Sequence, residues 1–260
     1  MAGFYLRFPP YVGLFLCPEH AMEVFSLSHK TMGKRNNNRE QTRKLVMLSF
    51  FTAVAYLSIY LIHFRAQGFL TFEFKNVFIT IAAMLFGPIA GGVISLITSF
   101  LEFALYSTTG FYGFLMNFIS SASFSMIAAL IYRGRRTQFS SYLSLGVASL
   151  ASTALMVLAN LLITPFYLGA SVAEVLVLIP KLIFPFNLIK CLANSAVILL
   201  FYKPITLVLR RAKMIPGEVN NGDYFNSRTV ISIVVAAVLI AVSLLVLILV
   251  LGGSITFGAV

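Results

Sequence analysis

Tryptophan is missing from these 260 residues, cysteine occurs twice, and 8 acidic side chains stand against 19 lysines and arginines. Each shortage closes a route. Cys17 and Cys191 lie far apart, with no C-x-x-C or metal-ligand spacing, so they define neither a disulfide framework nor a thiolate metal site and read as small buried apolar residues. No G-x-x-x-x-G-K-[ST] phosphate loop, no His/Cys/Asp cluster and no Ser-His-Asp arrangement occurs. The chain therefore does not hydrolyse ATP by itself, and it offers no catalytic pair for an integral membrane enzyme. Charged residues make up only 10% and hydrophobic ones 59%, with a mean hydropathy of +0.93, which excludes an ordinary soluble domain in favour of a polytopic helical membrane protein.

The net charge of +11 does not indicate nucleic acid. The basic residues fall in short clusters between apolar runs: Lys34 to Lys44, then Arg133, Arg135 and Arg136, then Lys203, Arg210, Arg211 and Lys213. This is the positive-inside pattern of cytoplasmic loops. Residues 1–44 read as a flexible basic extension, and the first ~30 have the composition of disorder or of an over-called start.

Residues 45–64 form the first span, with Ser49, Ala53 and Ala55 as a small face suited to close packing against a partner helix. His63 at its end reads as interfacial. Residues 77–106 are too long for one pass and would, as one span, put the Arg133 cluster outside. Gly87-Pro88 is a turn signal, so the spacing predicts a short helix at 76–86 and a return helix at 89–106. Eleven residues rise only about 16 Å, so the loop Arg65–Lys75 must dip to membrane depth, where irregular backbone survives only by lining a cavity. Further helices are expected at 111–132 and at 142–164 (stopped by Pro165). An outer loop at 169–180 holds Glu174. A sixth helix follows from there to Lys203-Pro204. Residues 212–228 form a cytoplasmic linker, 229–251 an additional transmembrane helix and 252–260 a tail. No internal repeat is seen.

The sixth helix carries the strongest site signal. Asn187, Lys190 and Asn194 lie three, four and seven residues apart, on one helical face, inside an apolar run. A lysine at that depth costs about 2.5–3.5 kcal/mol on insertion scales and is expected to face protein or a wet cavity. Asn160 sits near the outer end of the fifth helix and adds a second amide. Glu102, the one credible intramembrane acid, reads as interfacial, as a partner for Lys190 or as a polar contact to ligand. Asn117 reads first as an interhelical hydrogen bond. Phe69, Phe72, Phe74 and Tyr167, near the outer loops, are placed to stack on a flat ring.

Four blocks carry a resemblance: Phe72 to Gly91, with its Gly-Pro-x-x-Gly ending; Tyr112 to Phe118; Ala159 to Tyr167; and Phe184 to Lys190. Together they resemble the substrate-binding S components of energy-coupling-factor (ECF) vitamin transporters over about residues 44–205, and most closely the riboflavin-specific subfamily. The resemblance implies an all-α, six-helix bundle at 45–211, with 229–251 outside that pattern. It implies riboflavin as transported ligand, with no other cofactor. Asn160, Asn187 and Lys190 would hold the isoalloxazine ring, whose pyrimidine edge presents acceptor, donor and acceptor atoms that amides and an ammonium can satisfy. Its implied partners are a transmembrane coupling subunit, packed on Ser49, Ala53 and Ala55, and two ATPases, in the cell membrane; the basic clusters and the parity of the spans put the N-terminus inside and the C-terminus outside. An S component for another vitamin or related small molecule, or a stand-alone proton-coupled small-molecule carrier using Glu102 as relay, are the other readings.

Overall fold

The computed structural model describes residues 40–60, 63–65, 71–105, 109–134, 137–169, 171–215 and 227–251. The expectations for the N-terminal extension, the 216–226 turn run, the 252–260 tail, and the side chains of His63, Phe69 and Phe72 lie outside the described residues. The chain divides into two compact units, Met1–Val46 and Met47–Val260. In the first, residues 40–46 are helical and exposed.

Helix α1 covers Glu40–Tyr60. A two-stranded antiparallel ribbon follows, β1 (His63–Arg65) with β2 (Thr71–Glu73), in which His63 faces Glu73 and Arg65 faces Thr71. Then come α2 (Lys75–Phe86), α3 (Pro88–Leu105), α4 (Gly110–Gly134), α5 (Gln138–Leu168), α6 (Val172–Leu178), a π-helical turn (Ile179–Ile183), α7 (Phe184–Arg211) and α8 (Ser227–Leu251). Among the described residues five helical runs are long and apolar enough to cross a membrane.

The short helix sits at the centre. Nine of the twelve residues of α2 are buried, from Lys75 to Met84. A helix covered on every side needs no polar face, which is why its apolar residues show no stripe. Gly87, at φ 106°, turns the chain back into α3, in a backbone region that side chains other than glycine rarely enter. Gly91 lets the return helix come close. A Cβ there would stand 2.6 Å from Ala83 Cβ and 3.0 Å from Ser125 Oγ, so α2, α3 and α4 meet at one side-chain-free point.

Helix α3 shows what solvent this fold is built for. Ile89, Val93, Leu96, Phe100 and Phe103 are exposed at spacings of four and three, whereas Ser95, Thr98, Ser99 and Glu102 are buried. Apolar side chains face outward because lipid is the medium, and the hydroxyl face turns in. The helices are then tied by interhelical hydrogen bonds: Ser121 Oγ donates to Asn76 Oδ1 (2.7 Å), Ser123 meets Ser152 (2.9 Å), and Ser149 meets Ser195 (3.2 Å). Each contributes on the order of 0.6 kcal/mol in a membrane.

Three proline expectations need correction. Pro165 does not stop the fifth helix. Helix α5 runs through it to Gly169, whose left-handed conformation (φ 62°) and N–H bond to the Pro165 carbonyl end the helix. The outer loop at 169–180 is instead α6, opened by a capping box in which Glu174 N–H donates to Ser171 Oγ and Ser171 N–H to Glu174 Oε2, both at 3.3 Å. Pro180 falls in the π turn that joins α6 to α7, and α7 passes Pro204 to reach Arg211. The physical reason is common to all three. Within a bilayer no water takes over a broken backbone bond, so absorbing a proline into the helix or a wide turn is less costly than ending the helix.

Candidate functional site

Helix α7 brings Asn187, Lys190 and Asn194 together on one buried face, exposed 4%, 6% and 0%. The amides are aimed by their own helix: Asn187 Nδ2 donates to the Ile183 carbonyl (2.8 Å) and Asn194 Nδ2 to that of Lys190 (2.8 Å). Asn194 Nδ2 also reaches the backbone carbonyl of Glu73 at 3.4 Å, so this face of α7 meets the end of the β ribbon. Its other atom, Asn194 Oδ1, is buried and has no hydrogen-bond partner among the described residues. A buried acceptor left in that state costs about 1–3 kcal/mol. The arrangement is therefore ready for a donor.

Beside it lies a cluster of buried charge that the sequence reading did not assemble. Lys75 Nζ lies 2.7 Å from Glu73 Oε2 and donates to Glu102 Oε2, while Asn117 Nδ2 donates to Glu102 Oε1 at 2.8 Å. Glu73, Lys75 and Glu102 are 3%, 1% and 7% exposed. Glu102 thus takes Lys75 as its hydrogen-bonded ion partner in place of Lys190. With Lys190 the cluster holds two ammonium groups and two carboxylates, so buried charge of each sign is matched.

The remaining predicted residues fall as follows. Asn160 is buried, but its amide is engaged along α5: Nδ2 donates to the Met156 carbonyl (2.7 Å) and Oδ1 accepts from Thr164 Oγ1 (2.9 Å). Each atom keeps one further hydrogen-bonding position. Phe74 is half-buried against the core, and Tyr167 is 37% exposed with its ring 6.0 Å from that of Tyr112. Phe72 pairs with Phe64 through the ribbon backbone. On α1, Ser49 and Ala53 are exposed, but Ala55 is fully buried in the core with Met47 and Phe51. Two residues along a helix turn it about 200°, so Ala55 cannot share a face with Ala53.

Comparison with known proteins places this architecture. The family model for the ECF transporter substrate-specific component matches residues 43–202. A riboflavin transporter, RibU, of Staphylococcus aureus (strain TCH60) is 30% identical over 188 residues, covering 69% of this chain and 98% of that protein. A solved S component of a bacterial ECF transporter superposes with a TM-score of 0.58 at 29% identity, over 66% of this chain and 99% of the other. Helix α8 lies beyond the matched region. The chain, a multi-pass membrane protein built on a six-helix bundle with an added C-terminal helix, belongs to the substrate-specific components of ECF transporters.

Proposed function

We propose that this chain captures riboflavin from outside the cell and delivers it inward, driven by partner subunits. The observation that carries the reading is the buried α7 face: Lys190 flanked by two amides, with an orphaned acceptor on Asn194, directly against the end of the ribbon. Riboflavin's ring is neutral and flat, and its pyrimidine edge alternates acceptors with a donor. One ammonium and two or three amides match that edge, and with Lys75, Glu73 and Glu102 beside it the Lys190 charge is balanced. Asn160 and the half-buried Phe74 are the residues we assign to the opposite walls, with Tyr167 at the rim. Glu102 is tied to Lys75 and Asn117, an arrangement that suits a fixed structural anion better than a proton relay. Because a riboflavin protein carries its own chromophore, the full chain purified from rich medium is expected to be yellow, with a flavin spectrum and riboflavin as the mass of the released ligand. Colourless protein holding a different vitamin would refute the assignment.

By the positive-inside rule the basic ends of α4 and α7 lie in the cytoplasm, which puts the N-terminus inside and the end of α8 outside. Residues 1–44 are then a cytoplasmic basic extension and 212–228 a cytoplasmic linker. The coupling subunit of the transporter, working with two ATPases, is assigned to the exposed strip of α1 that carries Ser49 and Ala53, where small side chains allow close backbone approach. Ala53→Trp is expected to abolish uptake by the assembled transporter while leaving flavin affinity unchanged. Uptake at the wild-type rate would remove α1 from the interface.

A further inference from the structure

A cavity with polar groups in its lining lies toward the C-terminal end of α7, well away from Lys190. Its volume is about 190 Å³, and it is framed by the C-terminal parts of α4 and α7, the start of α5 and the start of α8. Lys203 and Arg210 both line it, one half-buried and the other exposed, together with Ser141 and Thr206. Among the described residues no carboxylate lines it. Thr137 and Gln138 open α5 at its wall, and Thr137 Oγ1 caps the helix by accepting from Ser140 N–H at 3.2 Å. The N-terminal end of the 31-residue α5 therefore borders the same space as the two cations. The added helix closes the cavity: Ser232 of α8 lines it and lies 2.6 Å from the hydroxyl of Tyr142.

We propose that this cavity binds a phosphate group, carried by an anionic phospholipid of the adjoining leaflet. Two cations of different geometry, several hydroxyl donors and a helix N-terminus make up the chemistry that recognises phosphate. The volume is below that of pockets for drug-sized ligands, so it takes a headgroup fragment and no more. The neighbouring residues Val230, Ile231, Ile233 and Val234 of α8 are exposed and apolar, offering acyl chains a surface next to the headgroup. Basic pockets between helices on the cytoplasmic side have this character in general. The sidedness of the site rests on the positive-inside assignment under Proposed function; its chemistry does not depend on the riboflavin reading. In this view α8 completes a lipid site on the substrate-binding bundle.

The test is native mass spectrometry of the full chain in detergent, offered phosphatidylglycerol or phosphatidylcholine. Wild type is expected to retain phosphatidylglycerol preferentially, and Lys203→Gln with Arg210→Gln to lower that retention about 10–30-fold. Arg211→Gln with Lys213→Gln, which alters cations outside the cavity lining, is expected to retain it. Ser232→Leu, which fills the cavity and keeps both cations, provides the check should the charge variant fold poorly; it too must lose the lipid. Equal retention in the Lys203/Arg210 variant, or equal loss in the Arg211/Lys213 variant, would overturn the site. Inorganic phosphate alone raising thermal stability as much as phosphatidylglycerol would overturn the lipid as its source. Flavin binding, measured on the same samples, is expected to be unaffected in every variant. A colourless wild type would count against the vitamin assignment and leave the lipid result standing.

Discussion

Lys75→Met is expected to be the most destabilising single change in the bundle, lowering stability by about 3–5 kcal/mol. The side chain is 1% exposed and sits between Glu73 and Glu102, so removing its ammonium leaves two buried carboxylates facing each other with Lys190 as the remaining cation. Methionine fills the same space, so the loss is electrostatic rather than a cavity effect. Thermal unfolding of purified protein measures it, and by size scaling the midpoint should fall by on the order of 10 °C. Adding Glu102→Gln to Lys75→Met removes the one carboxylate charge left in excess and is expected to restore a large part of the loss. Should Lys75→Met melt with wild type, the ion cluster is not what holds the ribbon, α2 and α3 together.

That cluster also marks how far the sequence could be read. Parity of the basic clusters and Gly87-Pro88 were enough to split residues 77–106 into two helices, and the length of the first is the ground for expecting the preceding loop at membrane depth. The next step was available from the same premise. A loop at membrane depth carries Glu73 and Lys75 down with it, and two buried charges of opposite sign need each other and any nearby acid. Glu102 was the nearest candidate. The two short strands were not legible, because three-residue runs give too few alternations to distinguish a ribbon from a loop. Pro165, Pro180 and Pro204 misled for a different reason: rules for proline as a helix stop come from chains in water, where a freed carbonyl can be hydrated. The burial of Ala55 could have been foreseen from helical rotation alone. The face of α7 was legible because polar residues stand out against an apolar run, and the spacing of Asn187, Lys190 and Asn194 admits one arrangement on a helix.

That face carries the other large effect. Lys190→Ala and Asn187→Ala are each expected to weaken riboflavin binding by about 1–3 kcal/mol, or roughly 5–150-fold in Kd, because each leaves a polar atom of the ligand unmatched in a buried site. Titration followed by quenching of flavin fluorescence gives the two constants directly. Ser195→Ala is the internal control: Ser195 is equally buried on the same helix, but it is engaged with Ser149 of α5 and the Cys191 carbonyl, so its loss should affect packing and leave Kd within about twofold. The double variant Lys190→Ala/Asn187→Ala distinguishes two ways in which the single losses could arise. If both side chains hold one edge of one ring, losing the first lets the ring shift and devalues the second, so the double loss falls short of the sum. Strict additivity would mean that the two residues act on separate features, and the ring edge would then have to be held from α5 by Asn160. Wild-type affinity in both single variants would leave the vitamin somewhere other than this face.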